Sequence, residues 1–332
     1  MADFVLLISD WYRLNARELP WRNTKNPYFI WLSEVILQQT RVDQGMNYYL
    51  KFIENYPTLT QLADADEEAV LKLWQGLGYY SRARNLHKTA QQVRDEFNGA
   101  FPGTYHEIIQ LKGIGPYTAA AISSFAFDLP HAVVDGNVYR ILSRYYGIDE
   151  PIDTGKGKKL FQELADSLIP EAEPALFNQA IMEFGAVQCT PNNPDCESCV
   201  LNQSCISAFN SELIKKLPVK KGKTKVRKRY FHYLHIEKGL EIALDQRTGK
   251  DVWEKLYEFP LIESENETIP LEFKDSATLS YQTKHILSHQ HIYAFFYKTD
   301  KSQIPGLDFK FINKSQLHDY PIHRLMEKYL ER

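Results

Sequence analysis

The amino-acid sequence predicts a mainly α chain: an all-α domain over residues 1–210, a basic linker at 211–229, and a smaller α+β domain over 230–332. Three observations carry this. Through the first two hundred positions apolar residues recur at helical spacing between capping signals. Beyond residue 229 the period falls to two, in YFHYLHIEKGLEIALDQ (230–246) and HQHIYAFFYK (289–298). Between the two regions lies SELIKKLPVKKGKTKVRKR, with nine Lys/Arg against one Glu. The whole chain has a net charge of −3, so this local +8 leaves −11 elsewhere. Such a run reads as a solvated tether that also suits a polyanion.

The helices follow in order. Asn26-Pro27 supplies an N-cap and a proline at N1 for YFIWLSEVILQQT (28–40). Asp64 or Asp66 opens DEEAVLKLWQGLG, with acids in its first turn and Gly76 and Gly78 near its end. Thr104 and Glu107 have capping-box spacing before IIQL, and Lys112-Gly113 stops that helix. GIGPYTAAAI (113–122) then starts another helix at Pro116, giving a helix–hairpin–helix at 104–126. Gly113 and Gly115 allow a tight turn whose N–H groups face an anion at a helix N-terminus, the grip proteins use on phosphate. NVYRILSRYYG, KKLFQELADSLI and ALFNQAIMEFGA complete the helical set, and PIHRLMEKYLER closes the chain as a helix.

At 332 residues with 44% hydrophobic and 24% charged residues, the chain is long enough for two packed domains, and its composition excludes disordered and collagen-like classes. The first twenty residues carry Asp3, Asp10 and Arg13 around a short apolar run, which predicts neither a targeting segment nor a membrane span. A cytoplasmic protein is expected.

All four cysteines fall at Cys189-x6-Cys196-x2-Cys199-x5-Cys205. In a cytosolic chain, as expected here, clustered thiols bind metal more often than they pair. No histidine lies between 132 and 231, so the thiolates would serve alone, and the spacing leaves a [4Fe–4S] cube and a zinc ion both open.

Two carboxyls stand out. Glu34, with Gln38 and Arg41, makes a polar stripe on an otherwise apolar helix. The stripe reads either as a solvated face or as a carboxyl kept protonated beside Trp31 and Ile30, a general acid. Asp135 follows AVV and precedes Gly136-Asn137, where it would cap a helix. A pair of carboxyls in contrasting settings is also what glycosidic cleavage needs. GLGYYSRARNLH (76–87) interleaves Gly, Tyr and Arg, either a solvated connection or a nucleic-acid contact.

Together these pieces resemble the helix–hairpin–helix, Gly/Pro-Asp DNA glycosylases. The carriers are the hairpin, an aspartate eighteen residues past Tyr117, and the cysteine spacing. RELPWR (17–22), SEVILQQT (33–40), GYYSRARNL (78–86), GIGPYTA (113–119) and VDGNVYRI (134–141) resemble the MutY-type adenine DNA glycosylases within that superfamily. The resemblance covers almost all of 1–210. It implies a two-lobed helical domain, a [4Fe–4S] cluster on Cys189, Cys196, Cys199 and Cys205, and a double-stranded DNA partner carrying adenine opposite 8-oxoguanine or guanine. It implies that Glu34 protonates a flipped adenine and then activates water, while Asp135 stabilises the sugar cation. Asn137 and Tyr117 belong to the same site, with Tyr117 where a related glycosylase/lyase of the endonuclease III type carries its Schiff-base lysine, and its hydroxyl is expected near the sugar–phosphate. By the same resemblance Arg17, Leu19, Trp21 and Gln179 line the adenine pocket. Gln39 and Tyr79 wedge into the duplex, and Thr40, Gly113 and Gly115 contact DNA.

The C-terminal part resembles, less closely, the Nudix-like 8-oxoguanine-recognition domain of those enzymes. DQRTGKDVWEKLYEFP carries the likeness, with Glu254-Lys255 where a glycine pair is common. Leu287-Ser288-His289 stands where Phe-Ser-His is usual, so Ser288 and His289 are the implied recognition pair. No REx2EE-type metal helix is present, and nucleotide hydrolysis is not expected. The competing readings are a glycosylase/lyase and a non-catalytic iron–sulfur DNA-binding protein. A monomer without a membrane partner is expected.

Overall fold

The computed structural model describes residues 2–332 except 223–225, 271–272, 274–275, 302–303 and 305. Its helices are α1 (Ala2–Asn15), α2 (Pro27–Leu37), α3 (Val42–Asn55), α4 (Leu59–Asp64), α5 (Glu67–Leu73), α6 (Ser81–Glu96), α7 (Tyr105–Ile108), α8 (Pro116–Phe127), α9 (Gly136–Tyr146), α10 (Gly155–Leu168), α11 (Pro174–Val187), α12 (Ser211–Lys216) and α13 (Arg324–Leu330). The strands are β1 (Arg227–Lys238), β2 (Glu241–Gln246), β3 (Tyr257–Glu258), β4 (Leu261–Ser264), β5 (Ala277–Ile286), β6 (Gln290–Thr299) and β7 (Lys310–Asn313). The chain is thus a helical region followed by an α/β region with a mixed sheet. Among the described residues no helix is long and apolar enough to cross a membrane.

By contact the chain divides into two compact units. The first comprises Met1–Val42, Thr58–Thr60 and Lys88–Gly222; the second comprises Asp43–Pro57, Gln61–His87 and Lys223–Arg332. Residues 43–57 and 61–87, expected with the N-terminal helices, therefore group with the strands. Within the stretch read as a linker, Ser211–Lys216 form α12 and Arg227 begins β1, while 223–225 lie outside the described residues.

The first unit is built around α11. Phe4, Ile8, Trp11 and Tyr12 of α1 recur at i, i+4, i+7 and i+8, and they share one core with Ile141 and Leu142 of α9, Phe161 of α10, and Phe177, Ile181 and Phe184 of α11. A second cluster joins Ile30 of α2 to Ala120, Ala121 and Phe125 of α8, and small side chains let those helices approach closely. Local caps set the helix starts. Asn26 accepts from the Tyr28 amide, and Gly115 precedes Pro116 at N1 of α8. Thr104 accepts from the Glu107 amide, but α7 is a single turn and the chain reaches Gly113 (φ +75°) through further turns. The Glu34–Gln38–Arg41 stripe does not form. Helix α2 ends at Leu37, Gln38 caps it, and Gln39 takes φ +54°, so the helical spacing stops before the stripe is complete.

The second unit carries the sheet β3-β2-β1-β6-β5, with β4 on β1 and β7 on β2. Strands β1 and β6 run parallel at its centre, with Tyr230 beside Tyr293 and Tyr233 beside Phe296. Strands β1 and β2 are joined by a two-residue hairpin, Gly239-Leu240, with Gly239 at φ +61° supplying the left-handed step. Residues between 61 and 87 of this unit bond to its C-terminal part. Tyr257 Oη donates to Glu68 Oε1 at 2.7 Å, Arg84 Nη2 to Glu254 Oε2 at 2.8 Å, and Gln75 Nε2 to Glu327 Oε1 at 2.7 Å.

Candidate active site

The starts of α8 and α9, the middle of α2, the face of α11 and the loop before α2 enclose one pocket of about 200 Å³. Glu34, Tyr117, Asp135, Asn137, Arg17, Leu19, Trp21, Gln179 and Thr40 all line it. These residues are spread over more than 160 positions of sequence, and the packing of α11 on α9 and of α2 on α8 brings them together. None of the pocket's lining residues is a lysine.

Glu34 is 8% exposed. Burial pushes its carboxyl up to about 7, with the Asp135 charge adding to the rise and the Tyr117 hydrogen bond and Arg22 opposing it. The Tyr117 hydroxyl donates to Glu34 Oε2 at 2.7 Å. Burial, together with the two carboxyls, holds the Tyr117 phenol well above its ordinary range, so it remains a donor. Its hydroxyl therefore serves Glu34, a partner the sequence did not indicate.

Asp135 is the N-cap of α9. Oδ1 accepts from the amides of Asn137 and Val138, both at 2.8 Å, and Oδ2 accepts from Asn137 Nδ2 at 2.7 Å. Burial raises its carboxyl above the usual range, against the pull of those three donors and of Arg140. Arg140 in turn donates to Asn137 Oδ1 at 2.7 Å, to the Gly185 carbonyl at 2.6 Å and to the Cys189 carbonyl at 2.7 Å. Asn137 is thus fixed at both ends of its amide.

Arg22 and Glu183, which the sequence reading did not single out, complete the polar wall. Glu183 is 1% exposed and accepts from Arg17 Nε (2.6 Å), Arg17 Nη2 (2.7 Å) and Arg22 Nη2 (2.6 Å). Burial pushes this carboxyl up, but the two guanidiniums outweigh it and hold it at about 2. The only local hint is that Glu183 follows Gln179 by one helical turn on α11.

The four cysteines are free thiols that line a second, small pocket with Arg144 and Ile214. Among the described residues no three His, Cys, Asp or Glu are grouped as ligands of a metal ion. Arg144, 3% exposed, donates to Cys189 Sγ at 3.4 Å and to the carbonyls of Thr190, Pro191 and Ile214 at 2.8 Å. Burial pushes the Cys199 thiol up to about 11, so a cationic group is needed to draw out its thiolate.

The remaining sequence-predicted residues do not line the pocket. Gln39 sits at the left-handed turn after α2. Tyr79, in the second unit, is 51% exposed at φ +49°, with the Arg82 guanidinium 5.5 Å from its ring centre. A Cβ built on Gly115 would meet nothing within 4 Å, so the backbone at the start of α8 is open to a ligand. Ser288 and His289 form the exposed β5–β6 turn, Ser288 Oγ lying 3.4 Å from His289 Nδ1.

Comparison with known proteins agrees with this layout. Residues 32–167 match the HhH-GPD superfamily of base excision DNA repair proteins, and residues 232–332 match the NUDIX domain. The adenine DNA glycosylase of Buchnera aphidicola subsp. Baizongia pistaciae is 38% identical over 296 residues, covering 87% of this chain and 84% of that one. The human adenine DNA glycosylase is 44% identical over 205 residues, 59% of this chain and 37% of that one. Among solved structures, a thermostable thymine-DNA glycosylase is 30% identical with a TM-score of 0.57, covering 63% of this chain and 95% of that one. Glu34, Tyr117 and Asp135 all fall inside the 32–167 match, and the Buchnera likeness runs through most of both chains. On that evidence the chain is a DNA glycosylase and belongs to the adenine DNA glycosylase family.

Proposed function

We propose that this protein removes adenine paired with 8-oxoguanine or guanine from double-stranded DNA, by hydrolysis and without cutting the strand. The observation that carries the reading is the pairing in one pocket of a carboxyl raised to about 7, Glu34, with a three-donor carboxylate, Asp135. A base inside a duplex cannot reach such an enclosed pocket, so the nucleotide must swing out at a cost of a few kcal/mol, less for a damaged or mismatched pair. The bond from sugar C1′ to the base nitrogen then breaks, and its electron pair leaves with the base. Glu34 gives its proton to a ring nitrogen of adenine, which makes the base a neutral leaving group. Positive charge gathers on the sugar facing Asp135; an ion pair at about 4 Å is worth about 4 kcal/mol at an effective dielectric of 20. Water adds at C1′ and returns a proton to Glu34, leaving an abasic site.

A lyase step needs an amine nucleophile. Tyr117 holds the place of that lysine, and its phenol is engaged with Glu34. The absence of lysine from the pocket lining supports a monofunctional enzyme.

The Cys189-x6-Cys196-x2-Cys199-x5-Cys205 spacing, which resembles that of the iron–sulfur glycosylases, supports [4Fe–4S] over zinc. Cys189, Cys196, Cys199 and Cys205 would hold the cluster, which when bound supplies the iron–thiolate bonds that close the loop. Arg144 then faces a thiolate sulfur, and Arg140 joins the Cys189 carbonyl to Asn137. Gln39 and Tyr79 each hold a left-handed backbone unusual for a side chain, the kind of strain kept at functional positions, and this supports their role against the duplex. Ser288 and His289, exposed on their turn, suit recognition of the 8-oxoguanine left behind.

The test is a duplex carrying adenine opposite 8-oxoguanine or guanine, incubated with the protein and then treated with alkali. Strand breaks only after alkali, faster opposite 8-oxoguanine, are expected, and Ser288→Ala/His289→Ala should narrow that preference. No break sinks the enzymatic reading; a break without alkali that borohydride traps establishes a lyase instead.

A further inference from the structure

The pocket lining contains two side-chain amides, and they differ in how they are held. Asn137 is committed at both ends, to Asp135 and Arg140. Gln179 is committed at one end only: Oε1 accepts from the Tyr12 hydroxyl at 2.7 Å, and among the described residues Nε2 makes no hydrogen bond. Tyr12 comes from α1, 167 residues away, and does not line the pocket. Both residues lie outside the matched 32–167 span.

Tyr12 is well placed to dictate which end of that amide faces inward. It is 8% exposed, its ring belongs to the core beneath α11, and the Arg22 guanidinium lies 5.5 Å from its ring centre, so it cannot swing aside. Burial raises its phenol, Arg22 opposing, so the hydroxyl keeps the hydrogen that it donates to Gln179 Oε1. Turning the amide over would take from the Tyr12 hydroxyl the acceptor it has in Oε1.

We propose that Tyr12 is a positioning residue for base selectivity: by occupying Gln179 Oε1 it turns the amide N–H groups toward the base. A donor at this wall suits a purine whose ring nitrogens are all acceptors apart from the sugar-bonded one, as in adenine. A 6-oxopurine such as hypoxanthine carries N–H at ring position N1, and a donor facing that position meets donor with donor. The inference rests on the reading that Gln179 contacts the flipped base.

The experiment compares single-turnover excision of adenine and of hypoxanthine, each opposite 8-oxoguanine, by the full-length protein. Tyr12→Phe keeps the ring and removes the hydroxyl; the adenine-to-hypoxanthine rate ratio should fall about tenfold. Gln179→Glu keeps an acceptor for Tyr12 but replaces the inward donor with an acceptor, and should lower the ratio without any change at Tyr12. Adding Tyr12→Phe to Gln179→Ala should change the ratio no further. A wild-type ratio in Tyr12→Phe, with Gln179→Ala shifted, overturns the role of Tyr12. If Gln179→Ala itself behaves as wild type, the contact between Gln179 and the base is what fails.

Discussion

The Tyr117 hydroxyl donates to Glu34 Oε2 at 2.7 Å, tying the first turn of α8 to the carboxyl of α2. This bond stabilises the ionised carboxyl, while burial favours the protonated one, and burial wins. The outcome, about 7, places the Glu34 proton where it can be both given and regained near neutral pH.

If the acid form of Glu34 is the active one, kcat/KM falls as pH rises past about 7. Tyr117→Phe removes a group that lowers the Glu34 pKa, so the alkaline limb should move to higher pH. A pH–rate profile of the two proteins checks this; a limb that stays in place or moves down counts against the coupling.

Asp135 does two jobs that one substitution separates. Asn caps a helix about as well as Asp, so Asp135→Asn should cost only about 1 kcal/mol in stability. Excision should nonetheless be lost, because the charge facing the sugar cation is gone. Thermal melting beside an excision assay reads both, and parallel losses would mean that Asp135 is a cap alone.

Gly185 marks the close approach of α11 to α9. A Cβ there would sit 2.7 Å from Asn137 Cβ and 3.0 Å from the Asn137 carbonyl oxygen. Gly185→Ala should therefore destabilise by about 1–3 kcal/mol and slow excision as well, since Asn137 holds Asp135. Melting and single-turnover rates test it; unchanged rates would show that Asn137 can yield without disturbing Asp135.

Iron and sulfide analysis of the purified protein should find a [4Fe–4S] complement, and Cys196→Ser should lower both the iron content and the melting temperature. Zinc at one per chain would reject the cluster.

What the sequence made legible was local. The proline at N1 of α8, the Asp135 cap and the GIGP turn are written in neighbouring residues, and the structure holds each of them. The pocket's polar wall was not legible, because Arg22 and Glu183 meet across 161 residues and Tyr12 and Gln179 across 167. Helix α2 was read too long because nothing in Gln38-Gln39 forbids a helix; its end shows only as a left-handed Gln39. Strand β5 was missed because, at the sheet edge, its side chains are at best half-buried and give no alternating apolar signal. The contacts of Glu68, Gln75 and Arg84 with the C-terminal part likewise lie beyond sequence patterning, and they argue against testing that part by deletion, which would strip those residues of their partners.

The most direct test of the account is Glu34→Gln on a duplex with adenine opposite 8-oxoguanine, measuring binding and single-turnover excision together. The amide fills the same space but cannot supply the carboxyl's proton. The account predicts binding close to wild type with excision lost. Excision at the wild-type rate would contradict it.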